Sequence, residues 1–187
     1  MGHRFPLFIA VGAVLVALAA GSYALAAQGG ARANGSPKFT ASLKSYSEVP
    51  AVSSTGTGTF EAALSNPATL HYKLTYSGLE GGNTLFAHVH VGQVDVNGGV
   101  SFFLCGGGGK PACPNGEGTV EGDITAADVI GITTQQVPAG AFDEIVQVMR
   151  DGQSYANVHT TASPGGEIRG QVKGTGPGNG NANGNDN

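Results

Sequence analysis

Between residues 38 and 172, apolar side chains recur at every second position in short runs, each closed by glycine, proline, asparagine or serine. The clearest runs are Phe39, Ala41 and Leu43; Phe60, Ala62 and Leu64; Leu70, Tyr72, Leu74 and Tyr76; Leu85, Ala87, Val89 and Val91; and Val100, Phe102 and Leu104. A period of two puts alternate side chains on opposite faces of an extended backbone, so each run reads as a strand with one apolar face. Residues 120–124, 154–160 and 167–172 supply further strands. Many short strands with turn residues between them predict an all-β fold, an antiparallel Greek-key-like β-sandwich or barrel. The 32 glycines and nine prolines provide the turns, and a 12% share of charged residues is too low for a water-exposed helical bundle.

Two segments depart from the period. Thr125 is placed to cap a short helix over 126–130. Phe142, Ile145, Val146 and Met149 fall at i, i+3, i+4 and i+7, the spacing of an amphipathic helix that ends at Gly152. Together they predict a short helical crossover before the last two strands.

The chain starts with His3 and Arg4, an uncharged run from Leu7 to Ala20, and then Ala24-Leu25-Ala26. That is the basic, apolar and cleavage-site order of a secretory signal, so residues 1–27 are expected to direct export. Left uncleaved, the 21 uncharged residues from Leu7 to Ala27 are long enough to anchor the chain, since about 20 apolar residues span a bilayer. Membrane contact is expected only in that case. Residues 28–37 read as a flexible linker, and 174–187 (GTGPGNGNANGNDN) as a disordered glycine- and asparagine-rich tail, because neither has apolar area to bury. The folded domain is then 38–173. In an exported chain the two cysteines, Cys105 and Cys113, are expected to pair, while their spacing is too wide for a usual zinc hairpin. A net charge of −4 with no basic stripe excludes nucleic acid as a partner. The expected location is secreted, extracellular or associated with the cell envelope.

The chemistry-bearing residues lie in two strands. In 84–91 the alternation puts Thr84, Phe86, His88 and His90 on one face, with the two imidazoles' α-carbons about 6.5 to 7 Å apart. In 154–160, Tyr155, Asn157 and His159 share a face. If those strands are neighbours and the faces agree, His88, His90 and His159 converge into a candidate site for copper or zinc, ions that accept neutral nitrogen ligands. His71 is a fourth candidate. The alternative is structural: strand histidines donate to backbone carbonyls or to Glu167 and pack as amphipathic rings. Glu167 and Arg169 share a face of the closing strand, where they can pair with each other at a sheet edge or reach Glu48 or Glu121; with Asn157 they form a candidate polar seam. Pro164-Gly165-Gly166 reads as a tight turn, and Gly170 as a point of close backbone approach.

Motifs for catalysis are missing. There is no G-x-S-x-G elbow, the acids are scattered rather than facing, and Gly106–Gly109 is followed by Lys110-Pro111 instead of the G-K-[ST] of a phosphate loop. No catalytic residue is assigned, and the protein is expected not to be an enzyme.

Taken together, Glu48-Val49-Pro50-Ala51-Val52, His88-Val89-His90-Val91-Gly92, Asn97-Gly98, Tyr155-Ala156-Asn157-Val158-His159-Thr160 and Gly166-Glu167-Ile168-Arg169-Gly170-Gln171 resemble the CHRD domain, the module named after chordin and found singly in many exported bacterial proteins. The resemblance covers about 38–172. One departure is Ala51, where the family often has a second proline. The resemblance implies an extracellular all-β module. It does not carry over growth-factor capture, which in chordin is associated with separate cysteine-rich modules that this chain lacks. The His-x-His segment and the glycine-rich closing strand are also similar to parts of the copper-zinc superoxide dismutases, a Greek-key barrel family, but their fuller histidine set and zinc-site aspartate cannot be assembled here. Two functions follow as expectations. One is a non-enzymatic binding module for an extracellular protein or cell-envelope component, needing no cofactor. The other is a copper- or zinc-binding protein that uses His88, His90 and His159.

Overall fold

The computed structural model describes residues 36–175 together with Met1 and Gly2. The expected signal or anchor, most of the linker and nearly all of the tail lie outside the described residues. The elements are β1 (Lys38–Lys44), β2 (Thr57–Asn66), β3 (Thr69–Ser77), β4 (Thr84–Val91), β5 (Gly99–Cys105), β6 (Gly118–Ile124), α1 (Phe142–Arg150), β7 (Ser154–Thr160), β8 (Ile168–Gln171) and β9 (Lys173–Thr175). All strand pairings are antiparallel, in the order β5-β4-β7-β8-β1-β2-β3-β6, with β9 also on β1. The two ends of that path, β5 and β6, lie close together, so the sheet is a nearly closed barrel or flattened sandwich. The expected all-β fold is the one observed.

Period-two patterning explains the interior. Phe39, Leu43, Phe60, Leu74, Val89, Phe102, Val158 and Ile168 come from seven strands and are all fully buried on the inner face. Each contributes roughly 1.5–3 kcal/mol by leaving water. Phe142, Ile145, Val146 and Met149 of α1 are buried as their helical spacing requires. The segment after Thr125 forms only one 3-10 turn, Ala126–Asp128, shorter than the expected helix over 126–130. The Asp128 carboxylate accepts from the Thr125 N–H and hydroxyl, but the Ile130 N–H donates to the Ser101 carbonyl rather than back along a helix.

β8 and β9 are one strand interrupted at Val172, whose N–H donates to the Ser154 carbonyl. Before the break the strand pairs with β7; after it, Lys173, Gly174 and Thr175 pair with Thr40, Phe39 and Lys38. Ordered strand therefore runs two residues beyond 173, into the segment expected to be a tail. At Gly170 any side chain would collide with the Ser42 carbonyl of β1, so glycine is what lets β8 lie against that strand.

Cys105 and Cys113 form a disulfide, and no free cysteine is present among the described residues. It ties the end of β5 to the following glycine-rich loop. Replacing both cysteines by serine should lower unfolding stability by about 2 to 3 kcal/mol, the loop-closure value for so short a loop. Urea unfolding measures this; an unchanged midpoint would show that the bridge does not constrain the unfolded chain.

Candidate metal centre

β4 and β7 pair with Phe86 opposite His159, His88 opposite Asn157 and His90 opposite Tyr155. Directly opposed residues share a face, so one pairing register brings three imidazoles together on the side of the sheet away from the hydrophobic interior. Two more strands extend the face: Phe103 of β5 opposes His88, and Arg169 of β8 opposes Asn157. This face is not solvated. His88, His90 and His159 are only 4%, 8% and 5% exposed, and β7 is buried at every position. Each histidine offers a ring nitrogen, and the three nitrogens lie within 4.8 Å of one another.

Backbone carbonyls orient two of the rings. The Nδ1 of His90 lies 2.8 Å from the Gly98 carbonyl and that of His159 lies 2.9 Å from the Pro164 carbonyl. A carbonyl only accepts, so Nδ1 carries the proton in both and Nε2 keeps its lone pair. Neither Nε2, nor Nδ1 of His88, has a partner at hydrogen-bonding distance and angle among the described residues, although the Asn157 amide lies near enough to His88 and His90 to favour their protonated forms slightly. Buried polar atoms are nearly always paired. Among the described residues seven buried side-chain atoms are not, and five of them, on Glu48, His88, His90, Asn157 and His159, belong to this one neighbourhood. Aromatic rings wall it in: Phe86 stacks near His88 and His159 with centroids 5.3 and 4.7 Å away, Phe103 meets His88 edge-on at 5.2 Å, and Tyr155 stacks on His90 at 4.5 Å.

The covering loops are pinned from below. The Arg169 guanidinium sits 3.3 Å above the Tyr155 ring and donates to Asn97 Oδ1 and to the Val96 and Gln93 carbonyls. Asn97 in turn donates to the Val49 carbonyl, and Tyr155 accepts from the Gly98 N–H. Glu167 is also buried, but it does not pair with Arg169. It accepts from the Ser54 and Thr160 hydroxyls and from the Glu80 and Gly81 N–H groups. Of the pairings open to these two charges, the one with each other is not formed; they are two separate buried anchors, each binding different loops, and Arg169 lies near Glu48. Glu121 pairs instead with Lys73 on the exposed side. Glu48 lies against Gly166, where a side chain would strike its carboxylate.

His71 does not join the cluster. It lies on β3, largely exposed, and meets Asp123 of β6 at 2.9 Å. Donation from strand histidines to backbone carbonyls was expected and is seen in His90 and His159; what the residue pattern alone did not reveal is that Gly98 and Pro164 supply the carbonyls and that Phe103 closes the wall. The Asn97-Gly98 and Pro164-Gly165-Gly166 turns were the available signal, since tight turns aim carbonyls inward.

The electrostatics keep the histidine cluster neutral. Burial, then the neighbouring His159 and His90, pushes His88 down to about 2, against an opposing effect of Asn157. Burial likewise lowers His90 to about 4 and lowers His159. Burial raises Glu48 to about 7 despite the nearby Arg169. Burial also raises Glu167, but its hydrogen bonds outweigh that and hold it below the usual carboxylate range.

A family model of the CHRD domain matches residues 39–172. The chain belongs to the CHRD domain family. The match spans nearly all the described strands, including both histidine segments and the Arg169 strand. No curated protein matches the chain. Among the described residues of this CHRD domain, no helix is long and apolar enough to cross a membrane.

The pKa directions fix a sign for stability in the metal-free protein. A histidine held low contributes stability that is present above its unfolded pKa of 6.5 and is lost as pH falls toward its folded value. Glu48 acts oppositely, contributing below 4.5 and losing its contribution as pH rises through about 7. Near pH 5.5 the imidazoles gain protons on unfolding while the Glu48 carboxyl loses one, so unfolding takes up protons on balance. Urea unfolding of metal-free protein should show clearly lower stability at pH 5.5 than at pH 7.5, and Glu48→Gln should steepen the fall. Equal stability at both pH values would contradict the buried neutral cluster.

Proposed function

We propose that this CHRD domain is an exported, non-enzymatic binding module that holds a transition-metal ion, copper or zinc, through His88, His90 and His159. The observation that carries the reading is the concentration of unpartnered buried nitrogens in one place: a satisfied structural histidine seam would have used them. Two of the rings donate Nδ1–H to carbonyls, the arrangement that fixes tautomer and orientation in metal-ligating histidines. Low proton affinity is a further support, because a ligand nitrogen must be deprotonated to bind and these are neutral well below pH 7. Ion–nitrogen bonds of about 2.0–2.1 Å put three ligands roughly 3.5 Å apart. A spread within 4.8 Å needs only small ring movements to reach that geometry. The disulfide supports the exported setting.

The test is metal analysis of the full chain, purified without a histidine tag from cells supplied with copper and zinc. One equivalent should be found, should vanish in His88→Ala, and should persist in His71→Ala, with near-ultraviolet circular dichroism reporting retained packing. Absence of metal from the parent chain, or its persistence in His88→Ala, would refute the reading.

A further inference from the structure

We infer that the ion this site selects is monovalent copper rather than a divalent one. The inference rests on the three-histidine reading above and adds the charge and coordination of its occupant.

Charge comes first. The ligands are three neutral imidazoles, and among the described residues no carboxylate or thiolate joins them. Solvation lost on burial grows with the square of the ion's charge, so a dication without an anionic ligand loses about four times as much as a monocation in the same surroundings. Those surroundings are three aromatic rings, Phe86, Phe103 and Tyr155, packed against the imidazoles. A permanent charge buried beside the ligands is also of the wrong sign for a dication. Arg169 is 2% exposed, lies over the ring that stacks on His90, and is held there by three acceptors. It repels a dication twice as strongly as a monocation at equal distance.

Coordination number is the second argument. Divalent zinc is almost always four-coordinate, and with three protein ligands it keeps a water or substrate in the fourth position. Phe86 and Phe103 flank the cluster with rings that carry no donor atom, and Tyr155 lies flat on His90 with its hydroxyl engaged by the Gly98 N–H. Cu(I) and Zn(II) are both closed-shell and neither has a ligand-field preference, so charge separates them: the single charge of Cu(I) is met by three neutral nitrogens, whereas Zn(II) keeps a fourth donor. Glu48 and Asn157 are the polar groups through which a divalent ion would gain an oxygen, each having one unpartnered buried oxygen. They therefore define the control.

The experiment is an anaerobic competition titration of metal-free full chain against chromophoric chelators of calibrated affinity for Cu(I) and for Zn(II), followed by X-ray absorption of the loaded protein. One Cu(I) should bind at least about a hundredfold tighter than Zn(II), each tenfold being about 1.4 kcal/mol, with three nitrogen neighbours and the edge shape of a three-coordinate cuprous ion. Binding should fall at least about a hundredfold in His90→Gln and in His159→Gln, and Glu48→Gln should leave Cu(I) affinity within about threefold. Zinc binding as tightly as Cu(I), a four-coordinate cuprous spectrum, or a large loss in Glu48→Gln would overturn the choice of ion while leaving the metal site standing. Binding of neither ion would overturn the site itself. Folding of each variant is checked by its thermal transition without metal.

Discussion

Two ring N–H groups donated to backbone carbonyls, His90 to Gly98 and His159 to Pro164, determine what the buried outer face of this sheet can do. Each bond leaves the ring's other nitrogen bearing a lone pair in a space where water is scarce. Neither carbonyl is free to wander. Gly98 belongs to the loop that Arg169 fastens through Asn97, Val96 and Gln93, and Pro164 belongs to the turn just before Glu167, whose carboxylate gathers four donors from three other segments. The buried arginine and glutamate are thus supports for the site, holding in place the loops that orient its histidines.

Burying these charges is costly unless their hydrogen-bonding capacity is filled. Arg169 and Glu167 meet that condition almost completely, the histidines and Glu48 do not. That contrast within one neighbourhood separates the satisfied Arg169 and Glu167 networks from the unpartnered histidine cluster. A seam whose only purpose was to close the sheet would look like Glu167 throughout.

The fold was legible because strand period and turn residues agree over the whole domain. Phe39, Ala41 and Leu43, or Leu70 to Tyr76, need no distant information to reveal which side is buried. The convergence of the histidines was legible for the same reason, since alternation fixes faces and only the adjacency of β4 and β7 had to be supplied. Glu167 and Arg169 were harder. Charges two apart on a strand look solvated, and their burial depends on loops near 45–56 and 92–98 that fold over the face from far away in sequence. Gly174 and Thr175 were misplaced because three residues of small or polar character carry no alternation; only the free edge of β1 makes them a strand. His71 has the same local pattern as the others, and what separates it is that its neighbour across the ladder is the exposed Asp123.

The most direct measurement is the tautomeric state of each histidine in metal-free protein at neutral pH, read from long-range proton–nitrogen correlations of the imidazole rings. The account predicts that His90 and His159 both carry their proton on Nδ1 and show an unprotonated Nε2. A proton on Nε2 of either ring, or a charged imidazolium at pH 7, would contradict it.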